Sequence, residues 1–233
     1  MHLKVLVVVP AFNESQNIES VVKSLIHAGY DYVVVNDGSS DNTAEICQEA
    51  GFNLLNLKEN LGIGGAVQAG HKYALANGYD IDIQFDGDGQ HDVKSIEKLI
   101  QEIYNGADLA IGSRFLEQSD GFKSTFMRRI GIKWLSGAIR LVSGLHITDP
   151  TSGFRATGHK ALELFCNDYP ADYPEPESIV AAAKKKLTIS EVQVTMHERQ
   201  GGTSSIKAIS SIYYMVKVTL AIILVGLGRE KKA

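Results

Sequence analysis

The chain has little cysteine and no excess of positive charge, and each shortage removes a class of function. Cys47 and Cys166 stand singly in segments that read as helices, so neither a disulfide framework nor a cysteine metal cluster is expected, and a reducing compartment is the natural setting. Lysine and arginine number 23 against 27 acidic residues, and the formal net charge of −4 gives no general electrostatic case for nucleic acid. No secretory signal is expected: the apolar run at residues 5–9 is short, has no cleavage pattern and passes directly into Pro10. Repeats and low-complexity segments are also lacking. The longest apolar stretch, from Tyr213 onward, is broken by Lys217 and falls short of the roughly 20 apolar residues that cross a bilayer.

What is present is an alternation of strand and helix patterns. The 233 residues, 44% hydrophobic and 21% charged, suffice for one substantial core, as a single large domain or a domain with an appendage. Residues 3–9 are rich in β-branched side chains and nearly continuously apolar, as in a strand covered on both faces. Pro10 ends that run, and Ile18, Val21, Val22 and Leu25 then recur at helical spacing. Residues 31–36 return to strand, Asp37-Gly38-Ser39-Ser40-Asp41 forms a turn into the helix of Cys47, and 52–57 is a third strand. A helix over 62–76, a strand over 81–85, a helix with Ile96, Leu99, Ile100 and Ile103, and a strand over 107–111 follow. Short links between such elements predict an α/β fold, with a Rossmann-like, mostly parallel sheet flanked by helices.

The chain is organised around Phe85-Asp86-Gly87-Asp88-Gly89-Gln90-His91, at the end of the fourth strand. Two carboxylates two residues apart, with glycines that let the backbone turn, can hold a hard divalent ion that also grips a substrate phosphate. Alone, the same motif suits an acidic surface turn. Ligands of such sheets bind beyond the carboxyl ends of the strands, which sets residues 10–14, Asp37, Asp86, Asp88 and Arg114 along one rim. That convergence favours the functional reading of the central carboxylates. Gly62, Gly64 and Gly65 open a helix and suit either a phosphate cradle or close helix packing, with packing ahead because the lysine and hydroxyl of a nucleoside triphosphate loop are missing.

Beyond residue 115 the texture changes. Phe126, Ile130, Trp134, Ile139 and Leu141 lie among Lys123, Arg128, Arg129, Lys133 and Arg140. This suits an ordinary packed helix with solvated bases, or an amphipathic helix near anionic lipid whose arginines meet a phosphate. Residues 148–155 read as a polar, turn-rich return to the core, in which Asp149 either orients Arg155 or caps a turn. Prolines around Asp172, Glu175 and Glu177 predict an extended approach to a helix start, with Glu175 or Glu177 at a rigid loop. A strand over 187–196 delivers Arg199 into a glycine-containing loop that suits a mobile phosphate clamp or a surface hairpin. The expected division is a main domain over 1–205 and a C-terminal amphipathic or apolar helical segment over 206–233. That segment reads first as a peripheral membrane contact, then as a subunit interface, and last as a full span.

Pro10-Ala11-Phe12-Asn13-Glu14, Asn36-Asp37-Gly38-Ser39-Ser40-Asp41, Asn60-Leu61-Gly62 with Gly64-Gly65, Asp86-Gly87-Asp88-Gly89-Gln90-His91, Gly112-Ser113-Arg114-Phe115 and Asp149-Pro150-Thr151-Ser152-Gly153-Phe154 occur in this order. Over roughly residues 4–205 the set resembles family 2 glycosyltransferases, and within them the dolichol-phosphate mannosyltransferase and polyprenyl-phosphate glycosyltransferase group. The resemblance implies a GT-A type fold. It places Pro10, Ala11, Asn13, Glu14 and Asp37 at the nucleotide base, Gly65 and Glu175 on the substrate side, and Asp86, Gly87 and Asp88 near the sugar and diphosphate. It further implies Mn²⁺ or Mg²⁺ at Asp88 and Gln90, the acceptor phosphate at Arg114 and either Arg128 or Arg129, and Arg199 on a flexible loop reaching the donor diphosphate. The implied reaction is inverting transfer from UDP-glucose or UDP-N-acetylglucosamine, ahead of GDP-mannose, to a polyprenyl phosphate. The implied setting is the cytoplasmic face of the cell membrane, as a peripheral protein or a homo-oligomer, without nucleic acid. Two departures bear on the acceptor: the segment around Glu175 varies within the group, and a multi-span membrane portion is not expected here. Two other readings stand beside this one. One is transfer to a glycan hydroxyl in cell-surface polysaccharide synthesis, with Glu175, Glu177 or Asp172 as base. The other is a non-catalytic sugar-nucleotide-binding protein, which the acidic pair, Gln90 and Arg199 disfavour.

Overall fold

The computed structural model describes residues 3–116, 126–197 and 210–228. Its strands are β1 (Val5–Ala11), β2 (Asp31–Asn36), β3 (Leu54–Asn56), β4 (Ile81–Gln84), β5 (Leu109–Ser113), β6 (Arg155–Gly158) and β7 (Ile189–Gln193). The helices are α1 (Ile18–His27), α2 (Thr43–Glu49), α3 (Gly62–Ala76), α4 (Ile96–Tyr104), α5 (Phe126–Ser143), α6 (His159–Asn167), α7 (Pro174–Lys184) and α8 (Ser210–Leu227). One sheet runs β3-β2-β1-β4-β6-β5-β7. All neighbours are parallel except β6, which is antiparallel to both β4 and β5.

The mostly parallel α/β sheet matches the sequence expectation; the reversed strand corrects it. Residues 148–155 were expected only as a turn-rich return, whereas the return ends in β6. Arg155-Ala156-Thr157-Gly158 is too short and too mixed to show alternation or an apolar run, yet all four residues are buried. The partners waiting on both sides, β4 and β5, make it a strand.

Alternation along β1 and β2 feeds two cores. Leu6, Val8, Val33 and Val35 pack with Ala66 and Ala74 of α3, while Val7, Val9 and Val34 pack with Ile18, Val22 and Leu25 of α1. Burial on both faces is why these strands read as continuous apolar runs. β4 differs: Ile81, Ile83 and Phe85 join the α1 side, and the intervening Asp82 and Gln84 are buried and polar on the other face. Asp82 Oδ2 lies 2.5 Å from Nδ1 of His71, on α3.

A third core joins Leu109 and Ile111 of β5 to Leu135 and Ile139 of α5, Ile179 and Val180 of α7, and Val218 and Ile222 of α8. The expected division between 205 and 206 falls outside the described residues, but α8 itself packs into the fold. Burying Val218 and Ile222 contributes about 1.5–3 kcal/mol each. Trp134 Nε1 donates to Thr219 Oγ1 at 3.0 Å, fixing α8 alongside α5. Among the described residues, no helix is long and apolar enough to cross a membrane. Because β1, β2, β4, β5 and β7 point the same way, their carboxyl ends and the entry to β6 share one rim.

Candidate active site

The first part of the rim is knitted from the loops after β1 and β2. Asn13 adopts φ 58°, a left-handed conformation that asparagine tolerates better than most residues. In that pose its Oδ1 accepts from the backbone N–H of Ser40 at 2.8 Å, and its own N–H donates to Ser39 Oγ at 2.9 Å. Glu14 N–H donates to Thr43 Oγ1 at 2.9 Å, and its carboxylate accepts from Asn17 Nδ2 at 3.0 Å. Asp37 is buried, and its Oδ1 accepts from Leu61 N–H at 2.7 Å. Burial raises the Asp37 carboxyl above its ordinary pKa, while the N–H groups of Leu61 and Gly62 pull it back. Pro10, which has no N–H to give, comes after the last β1–β4 pair, Val8 with Gln84, and its carbonyl accepts from Gly87 N–H at 3.3 Å.

The glycines that open α3 serve packing. A side chain on Gly64 would put Cβ 2.1 Å from Pro170 O and 2.4 Å from Ala171 O, and one on Gly65 would put it 2.4 Å from Leu61 Cβ. Of the two readings given to these glycines, close packing is the one that the contacts of Gly64 and Gly65 support.

At the end of β4 the acidic loop is held from inside. Asp86 Oδ1 accepts from Gln84 Nε2 at 3.1 Å, and Asp86 N–H donates to His91 Nδ1 at 3.1 Å. His91 must therefore leave Nδ1 unprotonated. Burial pushes its pKa down, and that effect outweighs the carboxylates of Asp86 and Asp88, which act to raise it. The imidazole stacks on Phe154 with ring centroids 4.5 Å apart. Asp88 Oδ1 accepts from Gln90 N–H at 3.0 Å, and Gln90 exchanges with the end of the β7 segment, His197 N–H donating to Gln90 O at 2.7 Å. Asp86, Asp88 and Gln90 are all partly exposed at the rim and offer only oxygen donors for a cation, the set that suits Mg²⁺ or Mn²⁺ completed by substrate phosphate oxygens. Among the described residues, no group of three or more histidine, cysteine, aspartate or glutamate side chains could hold a metal by itself.

Arg114 follows the end of β5, is only 6% exposed, and its guanidinium meets Asp149 in a fork, Nε to Oδ2 at 2.6 Å and Nη2 to Oδ1 at 2.7 Å. Glu191 supports the pair from behind by accepting from Thr148 N–H at 2.7 Å and Asp149 N–H at 2.9 Å. That edge of the guanidinium is engaged in an internal ion pair. Asp149 likewise orients Arg114 rather than Arg155. Arg155 donates to Ser152 O, Pro150 O and Ser178 Oγ.

Glu175 and Glu177 occupy the first turn of α7 rather than a loop, because proline fits a first turn whose N–H groups have no helical acceptor. Half-buried Glu175 has its pKa raised, chiefly by burial and in smaller part by Asp86, with Arg155 acting to lower it. Arg129 is exposed at the start of α5. The side chain of Arg128, and Arg199 altogether, lie outside the described residues. Gln84, His91 and Arg155 were not named as site residues from sequence, although for Gln84 one signal was there: Asp82, Gln84 and Asp86 alternate with Ile81, Ile83 and Phe85.

A parallel rim of this kind, with an acidic loop at the central strand, is where an open α/β sheet binds its ligands. Residues 6–165 match the model of glycosyl transferase family 2, and the chain belongs to that family. It is therefore a glycosyltransferase that works from a nucleotide-sugar donor. An uncharacterised protein of Methanocaldococcus jannaschii is 35% identical over 221 residues, spanning 91% of both chains. A UDP-N-acetylglucosamine–dolichyl-phosphate N-acetylglucosaminyltransferase of Methanococcus voltae is 33% identical over 208 residues, 80% of this chain and 83% of that one. Among solved structures, the Mycobacterium tuberculosis glucosyl-3-phosphoglycerate synthase, in complex with Mn²⁺, UDP and glucosyl-3-phosphoglycerate, shares the fold with a TM-score of 0.70 at 19% identity. That alignment covers 99% of this chain and 82% of the other.

Proposed function

We propose that this enzyme moves a sugar, with inversion, from a UDP-sugar to a polyprenyl phosphate held in a membrane, working as a peripheral protein on the cytoplasmic face. The observation that carries the acceptor is an apolar surface on two adjacent helices. Ile130, Trp134 and Leu141 of α5 and Val216, Leu220, Leu224 and Leu227 of α8 are exposed, with Arg129, Lys133 and Arg140 beside them. Such a face buries in the headgroup region while each nearby base adds about 1 kcal/mol of attraction to anionic lipid. The Methanococcus relative, whose name gives a dolichyl-phosphate acceptor, supports the same reading.

In this reading an oxygen of the acceptor phosphate attacks the anomeric carbon, the bond to the donor diphosphate breaks, and its electron pair leaves with UDP. The phosphate is already anionic, so no base is required. Asp88, Asp86 and Gln90 would hold Mn²⁺ or Mg²⁺, which when bound neutralises charge on the leaving diphosphate. The loop of Asn13 and the carboxylate of Asp37 read the base, with UDP-glucose and UDP-N-acetylglucosamine ahead of GDP-mannose. Either Arg128 or Arg129 meets the acceptor phosphate beside Arg114, and Arg199 reaches the donor diphosphate.

A second reading keeps the donor chemistry and changes the acceptor to a hydroxyl, in a glycan or a small phosphorylated acid. It is favoured by Glu175, whose raised pKa suits a base facing the acidic loop, and by the fold shared with the phosphoglycerate-glucosylating synthase. Calorimetry with UDP and GDP decides the base. Incubating each donor that binds with Mn²⁺, and with undecaprenyl phosphate vesicles or soluble hydroxyl acceptors, decides the rest. Lipid-linked sugar supports the first reading; efficient transfer to a hydroxyl with none to lipid replaces it.

A further inference from the structure

On the face of the sheet below the acidic loop lies a buried arginine that no step above uses. Arg155 begins β6 opposite Gln84 of β4 and is 3% exposed. Its Nε donates to Ser152 O at 2.7 Å, Nη2 to Pro150 O at 3.2 Å and Nη1 to Ser178 Oγ at 2.8 Å, all uncharged oxygens. Ser178 Oγ passes the connection on to the carbonyl of Glu175 at 3.2 Å. One planar group therefore binds the turn between Asp149 and β6 to the first turns of α7. Both ends of that brace touch the site. Gly153, within the turn, comes so close that an added Cβ would lie 2.7 Å from Gln84 Nε2 and 3.1 Å from Asp86 Oδ2. α7 carries Glu175 on the other side.

We infer that Arg155 is a positioning residue for sugar transfer, bracing the first turn of α7, which carries Glu175, against the 150–153 turn that packs on Gln84 and Asp86. The inference rests on the site proposed above and holds for either acceptor. A fork of N–H donors is needed for this role as well as charge, so lysine cannot fully replace it. The charged and titratable groups that act on Glu175 are Arg155 on β6, Asp86 after β4 and Tyr169 after α6. Arg155 is the cation that acts to lower the Glu175 pKa.

The test compares the parent with Arg155→Lys, Arg155→Met and Ser178→Ala. The Glu175 carboxyl is followed by NMR over pH in glutamate-labelled protein and assigned by its loss in Glu175→Gln. Arg155→Met is expected to move the Glu175 midpoint upward. Arg155→Lys and Ser178→Ala are expected to lower kcat roughly tenfold or more while donor KM changes little, since small misplacement near the chemistry is costly. Should Arg155→Met fail to fold, Ser178→Ala carries the test, because it shortens only one arm of the brace. An unmoved Glu175 titration in Arg155→Met, or kcat kept in Ser178→Ala, overturns the inference. If the parent turns over no nucleotide sugar, the proposed reaction fails, while the Glu175 midpoint and its response to the variants still decide the place of Arg155.

Discussion

The loops after β1 and β2 meet through the polar groups of Asn13, Ser39, Ser40 and Thr43, whereas α5 and α8 meet through Leu135, Ile139, Val218 and Ile222 and leave further apolar side chains open. Hydrogen bonds have narrow geometry, so the first region, the proposed nucleotide pocket, holds a defined shape without help from a ligand. Apolar contact is proportional to area and indifferent to direction. The second region accordingly asks less of a partner's atomic positions, and the lipid surface proposed for it has none that are fixed. Between the two, β4 and β6 carry buried polar side chains that belong to neither pattern.

The largest effect is expected where a buried charge would lose its partner. Asp149→Ala leaves the Arg114 guanidinium uncompensated inside the protein and should cost about 3–5 kcal/mol in denaturant unfolding. A loss near zero would mean that the rim between the two regions is not held by this pair. Next comes Asp88→Ala, expected to reduce Mn²⁺-dependent turnover by roughly 10²–10³-fold, the scale seen when one stabilising group is removed from developing charge. Its folded content should match the parent, because Asp88 is only partly buried. Equal activity across a Mn²⁺ titration would remove the acidic loop from the donor region.

Smaller effects probe packing and surface. Gly64→Ala drives a methyl group into the carbonyls of Pro170 and Ala171 and should cost about 1–3 kcal/mol, read from the unfolding midpoint. A neutral result would show that residues 170–171 yield, weakening the link between α3 and the approach to α7. Leu224→Asp and Trp134→Ala should shift stability least, on the order of 0.5 kcal/mol, because both side chains are exposed. They should nevertheless lower partitioning onto anionic vesicles. Unchanged partitioning with both substitutions combined would end the contrast between a nucleotide-shaped region and a lipid-facing one.

Much of the first region was legible from residue order. Apolar runs located β1 and β2, the spacing of Ile18, Val21, Val22 and Leu25 located α1, and the bounds of α3 follow from its glycines and its alanine-rich body. The rim followed because strands that run parallel share a carboxyl edge. What stayed hidden depends on long-range pairing. Nothing local tells Asp149 to take Arg114 rather than Arg155, since both choices are chemically sound and the decision lies in how β5 and β6 are brought together. Glu175 was read as a loop residue because prolines usually interrupt helices, but Pro174 and Pro176 stand where the helix has no hydrogen bonds to lose. The alternation of Asp82, Gln84 and Asp86 was visible in the strand and was outweighed by the apolar residues between them.

The reversed strand has a consequence for how the chain matures. β6 covers the outer edges of both β4 and β5, yet it is made only after all of α5. Until Gly158 has left the ribosome, the strand that carries the acidic loop has an open flank, and β5, whose parallel partner β7 is made later still, has no strand to join. Unpaired edges recruit other chains, and pairings between distant segments form slowly. Newly made protein should therefore be most prone to self-association in the interval before residues 155–158 are inserted, and a fragment ending at residue 116 should aggregate rather than form half of the enzyme.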